Sequence, residues 1–118
     1  MCLHVVTNRA LNRSGTGYKV FRLVLDGNLA SEIMGGEILK PGKWLQSSRT
    51  LILNSYVCYD SGWHIFKRLR DAKDWMEDED EICVIRKVEY RKGHTLGTQS
   101  IYDHPVPVIV AHEMRILE

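Results

Sequence analysis

The stretch SGWHIFKRLR (61–70) sets a histidine, His64, just ahead of three cations, Lys67, Arg68 and Arg70. A helix starting here offers unpaired backbone amides and the positive end of its dipole, and both attract anions. The cations oppose that dipole, at a cost of a few tenths to about 1 kcal/mol each on an exposed surface. A bound anion or an acidic partner surface removes the cost, whereas long basic side chains reaching into water simply tolerate it. Both readings stay open, and both single out the same end of the element. Trp63 is either an aromatic contact there or a core side chain. His64 is either a participant in binding or a hydrogen-bonded, half-buried imidazole.

Other residue types capable of chemistry lack the spacing for it. The five histidines (4, 64, 94, 104 and 112) contain no i, i+4 pair and no HExxH, so no metal site is predicted. His112 and Glu113 are consecutive in a strand-like run, which sends them to opposite faces. Cys2, Cys58 and Cys83 form no CxxC pattern, which predicts free thiols, with Cys58 and Cys83 as small buried side chains. Ser61 has no GxSxG around it. GTG (15–17) and GG (35–36) are too short to wrap a phosphate. The acidic run Glu77 to Glu81 lacks the glycine and ligand spacing of a calcium loop. It reads as a solvated turn that helps stop the helix, or as a surface for a basic partner.

The elements that must hold these residues follow from periodicity. KRLRDAKDWM (67–76) places Leu69, Ala72 and Met76 on one apolar stripe beside Trp75, which predicts a helix packed by that stripe. GYKVFRLVLDG (17–27) reads as a strand ending in an Asp26-Gly27 turn, after a turn-rich NRSGTG. The segment around Gly35-Gly36 reads as an irregular or helical piece. TLIL (50–53), YVCY (56–59) and EICVIRKVEY (81–90) read as strands, and RKGHTLGTQS (91–100) as a loop with two glycines. Pro105 and Pro107 belong at a strand's entry or edge, because proline has no amide to donate, and VIVAHEMRIL (108–117) continues that strand. The expectation is an α+β fold: one compact domain, 1–118, with an antiparallel or mixed sheet of about five or six strands and one main helix packed on it.

Bulk properties remove whole classes. The 118 residues suit one core, and 44% hydrophobic with 26% charged residues describes an ordinary globular chain. No apolar stretch nears the roughly 20 residues that a membrane-spanning helix needs, and the start has no leader pattern. A cytoplasmic location is therefore expected, with no membrane partner. A net charge of +1 gives no whole-molecule field for nucleic acid, which is not expected as a partner. A local basic patch is still allowed, and Arg86, Lys87, Arg91 and Lys92 cluster in one hairpin region.

Two resemblances add expectations. Met1-Cys2, Gly17-Tyr18-Lys19-Val20, Gly62-Trp63-His64-Ile65-Phe66, Ala72 and VIVAHEM (108–114) follow the layout of small phage- and prophage-encoded proteins of unknown function. Trp63 stands where those proteins usually carry Phe. The resemblance implies a viral or prophage origin and no particular activity. With the separated charge blocks, it leads to the expectation of an accessory protein that binds and modulates a host or defence-system protein in the host cytoplasm. Its candidate binding residues are Lys19, Trp63, His64, Lys67, Arg68 and Arg70, with no cofactor and no metal, and with oligomeric state open. In element order, SGWHIF, DAKDW, ICVIRKVEYRKG and HEMRIL are also similar to ADP-ribosyltransferases. That similarity implies an alternative, an NAD-using enzyme or nucleotide binder with Tyr18, His64 and Glu113 in catalytic roles and Lys19 nearby. The chain departs from those enzymes by carrying Tyr18-Lys19 in place of a first-strand histidine.

Overall fold

Valine, isoleucine and tyrosine alternate with polar residues along 83–90, and the strand begun there runs on to Ile101, while the valine- and isoleucine-rich stretch 104–116 forms a second long strand. A computed structural model describes residues 3–23, 29–31, 38–47, 51–53, 58–77 and 82–117. In chain order the elements are β1 (Val5–Asn8), β2 (Arg13–Leu23), β3 (Leu29–Ser31), β4 (Ile38–Leu39), β5 (Trp44–Gln46) and β6 (Leu51–Leu53). β7 (Cys58–Asp60), β8 (Trp63–Phe66), α1 (Leu69–Glu77), β9 (Cys83–Ile101) and β10 (His104–Ile116) follow.

Among the described residues every pairing is antiparallel. Eight strands form one sheet in the order β1-β9-β10-β8-β2-β3-β4, with β5 added against β10, and β6-β7 is a separate two-stranded piece. β2 pairs with β9 as well as with β8, so the path β9-β10-β8-β2 returns to β9 and closes a four-strand ring. The expected α+β fold is therefore corrected. The described residues are mostly antiparallel sheet with one nine-residue helix, closer to an all-β fold.

Three misread stretches explain the difference. RKGHTLGTQS is the second half of β9, not a loop. Its glycines mark close backbone approaches rather than turns: a Cβ on Gly97 meets the Val5 carbonyl of β1 and the Leu3 side chain. NRSGTG lies largely inside β2, and the described part of the segment around Gly35-Gly36 is strand, with β3 paired to β4. The turn joining β9 to β10 is Tyr102-Asp103, both at positive φ (48° and 63°), as a two-residue hairpin turn of the I′ kind requires. Pro105 and Pro107 do sit at the entry of β10, before its pairing with β8 begins at Val108. The Asp26-Gly27 turn, Gly35-Gly36, Met1-Cys2 and the acidic residues 78–81 lie outside the described residues.

Side-chain alternation divides the core in two. Phe21, Ile65, Val88, Ile109 and Met114 gather from all four strands of the ring. Their neighbours Val20, Phe66, Val108 and Val110 form a second cluster with Leu3, Tyr59 and Ala72. Helix α1 lies over this second cluster through fully buried Ala72, with the Trp75 ring 6.3 Å from that of Phe66. The expected stripe needs one correction. Leu69 is 39% exposed, and Asp71 takes the buried place beside Ala72. Cys58 is exposed rather than buried, because Tyr59 points inward on the three-residue strand β7.

Gly17, in the GYKV motif, sits where β2 meets β8. A Cβ there would come within 2.5 Å of Ile65 Cγ2 and 2.6 Å of the Phe66 carbonyl oxygen. Backbone cannot rotate away as a side chain can, so the seam of the ring must open. Gly17→Ala is expected to lose about 1–3 kcal/mol, the usual cost of overpacking. Urea denaturation reads this directly, and an unchanged midpoint would refute the close-approach account.

Candidate functional site

His64 comes from the centre of β8, facing the second core cluster, and is only 5% exposed. Its Nε2 lies 2.8 Å from the Tyr59 hydroxyl and its Nδ1 3.2 Å from the Gly62 carbonyl oxygen. A carbonyl only accepts, so Nδ1 carries the proton and Nε2 accepts from Tyr59. The Tyr59 oxygen in turn accepts the Leu3 amide at 2.9 Å. Directions run consistently from Leu3 N–H through Tyr59 O–H to a neutral imidazole. Burial first, then the nearby Lys19 cation, pushes the His64 pKa down to about 3. Lys19 is itself buried and donates from Nζ to the His64 carbonyl at 3.0 Å. The imidazole is thus a fixed, uncharged structural group with both nitrogens engaged.

The cations beside it face outward. Lys67, Arg68 and Arg70 are all exposed, at the junction of β8 and α1. Arg68 donates from Nε to Asp71 Oδ2 at 2.7 Å, one helical turn along. Asp71 also places a carboxylate in the helix's first turn, where it suits the dipole. Sequence reasoning saw the three cations and missed this buried acid. Trp63 is half-buried, packs against the ring's core and donates its indole N–H to the Leu45 carbonyl at 3.1 Å.

Glu113 lies in a different environment. It is 3% exposed on β10 and accepts from Arg91 and from the Gln46 amide, with Lys92 Nζ at 3.5 Å. The Gln46 bond, followed by Arg91, pulls its pKa down to about 2. Tyr18 is half-buried against the second cluster and pairs in register with Phe66 and Lys87. The partners of His64 (Tyr59, Gly62 and Lys19) and those of Glu113 (Gln46, Arg91 and Lys92) do not overlap. The structure brings His64 and Lys19 together, sets Tyr18 against the same core cluster that His64 faces, and gives Glu113 separate surroundings. Among the described residues no three His, Cys, Asp or Glu side chains gather as a metal holder.

Comparison with known proteins gives no family. No family model, curated protein or solved structure matches the chain. Among the described residues no helix is long and apolar enough to cross a membrane. Two side chains central to the geometry went unnoticed in the sequence, Tyr59 and Trp44. Tyr59 was hidden in YVCY, whose only signal is a tyrosine one short turn before Gly62. Trp44 sits in KPGKW, where the only signal is an aromatic preceded by two lysines.

Proposed function

We propose that this is a viral-type accessory protein that binds and modulates a host or defence-system protein in the host cytoplasm, through the β8–α1 end. The reading rests on one observation. Lys67, Arg68 and Arg70 stand exposed on a junction held down by buried Ala72 and Asp71, so positive charge is presented from a fixed element. Such a surface suits an acidic patch on a partner, and the charge steers encounter as well as register. His64 and Lys19, whose polar groups are spent internally, serve to hold the junction rather than to touch the partner.

The test is a pair of substitutions, Lys67→Glu and Arg70→Glu, that leaves the Arg68–Asp71 bond intact. Capture from host lysate, with the bound protein identified by mass spectrometry, is expected to fall at least about tenfold while the melting temperature stays unchanged, as for loss of charged contacts. Equal capture of the same protein refutes the assignment. The enzyme reading is checked in parallel with NAD. A ligand at 100 times its dissociation constant adds about 2.7 kcal/mol, so a clear thermal shift with transfer of labelled ADP-ribose would replace the binding proposal.

A further inference from the structure

The outer face of the ring around Trp44 carries a second, larger collection of charge. Lys87, Glu89 and Arg91 alternate on β9 with buried Val88 and Tyr90, so they share the outward face. Register then lays two rows across three strands: Glu89 opposite Arg115 opposite Trp44, and Arg91 opposite Glu113 opposite Gln46. The Trp44 ring has the Arg91 guanidinium carbon 4.0 Å and that of Arg115 4.9 Å from its centroid. Stacking on an indole holds both guanidiniums in place. The turn before β5 adds exposed Lys40 and Lys43, and its Gly42 amide bonds to the Ile116 carbonyl at 3.0 Å.

Among the described residues this face holds six cations (Lys40, Lys43, Lys87, Arg91, Lys92 and Arg115) against two carboxylates. One of those, Glu113, is buried beneath Arg91 and Lys92, and the other, Glu89, is paired with Arg115. Among the described residues, positive charge therefore outweighs negative charge on this face. Beside Arg115 opens a shallow cleft of about 400 Å³, lined by Pro41, Gly42, Leu117 and the Ile116 backbone, whose side chain faces the core.

We infer that this face binds single-stranded nucleic acid, with phosphates on the lysines and arginines and an unstacked base in the cleft beside Arg115. The cations fit any polyanion, and the cleft narrows the choice. A duplex keeps its bases stacked inside and has nothing to place there, whereas a single strand offers flat bases alongside regularly spaced phosphates. An acidic peptide supplies the charge but no planar group to lie against the exposed Pro41 and Leu117. The inference is independent of the β8–α1 surface and goes beyond it.

Fluorescence anisotropy with labelled single-stranded 20-mers of DNA and RNA tests it. Binding at 50 mM salt is expected to weaken about 20- to 50-fold at 200 mM, as for three or four neutralised phosphates. Lys40→Gln with Lys43→Gln, both in an exposed turn, should weaken binding severalfold and flatten the salt dependence while leaving the fold intact by circular dichroism. Arg115→Gln provides a second variant, at the cleft. Lys67→Glu with Arg70→Glu should bind the strand as before. No binding at 50 mM salt, no loss in the lysine variant, or equal affinity for labelled polyglutamate or for duplex would each overturn the inference.

Discussion

Tyr59→Phe is expected to destabilise the protein by about 2–4 kcal/mol, although it removes a single oxygen atom. The hydroxyl serves two buried groups at once: it accepts the Leu3 amide and donates to His64 Nε2. Phenylalanine fills the same space, so no cavity forms and the apolar contribution is kept. What is lost is hydrogen bonding to two groups that water does not reach readily, and stranding such a group costs about 1–3 kcal/mol. The consequence is wider than one strand. Tyr59 is the inward side chain of β7, and its hydroxyl joins the β6–β7 piece both to Leu3, just ahead of β1, and to β8 in the ring. Urea denaturation of the variant reads the energy, and hydrogen exchange at the Leu3 amide reads the location. A loss below about 0.5 kcal/mol, typical of a surface substitution, would show that the network is incidental.

How much of this was legible in the chain depends on what each residue type signals. The helix at 69–77 was visible because Ala72, Trp75 and Met76 repeat with helical spacing, and VIVAHEM was visible as a strand through its β-branched run. The stripe differs at one end: Leu69 has the right spacing but is exposed at the first residue of α1, and Asp71 takes the buried place beside Ala72. The larger error came from glycine. Gly93 and Gly97 read as turn residues, yet in β9 they mark places where β10 and β2, and Val5 of β1, leave little room for a Cβ. Buried Thr95 between them and buried Gln99 just beyond make the segment look like a loop as well. β1 left no signal, because Val5, Thr7 and Asn8 are exposed at the sheet's edge and the pattern has no buried face to report. Long-range pairing decides these cases. The same limit applies to the sites: His64 was singled out, but its partner Tyr59 and its neutrality follow from burial that no local pattern encodes. Charge was misleading for a similar reason, since a sum over 118 residues does not record that the cations of β9, β10 and the β4–β5 turn converge on one face.

The buried imidazole also fixes how the protein responds to acid. In the unfolded chain His64 takes up its proton near pH 6.5, whereas in the fold it does so only near pH 3. The folded state therefore binds fewer protons throughout that window. Its stability is complete above pH 6.5 and falls as pH drops towards 3, at up to about 1.4 kcal/mol per pH unit, or about 4 kcal/mol in all. Lys19 and the neighbouring His94 make matters worse for a proton on this ring, and both repel it. Glu113 acts in the same direction but later. Its carboxyl is held at about 2 against an ordinary 4.5, so its contribution is present above pH 4.5 and is lost only as pH falls below that. The two groups separate by window. Between pH 6.5 and 4.5 the His64 share is about 2–3 kcal/mol, and His64→Gln, which cannot take up a proton but can accept from Tyr59, should remove that share of the slope. The comparison is between slopes, so a general loss of stability in the variant does not obscure it. Urea denaturation at pH 7, 6, 5 and 4.5 on both proteins provides the measurement. Parallel curves would mean that His64 takes up its proton at the same pH in the fold as in the unfolded chain, and below that pH the direction assigned to the Tyr59 hydrogen bond would have to be reversed.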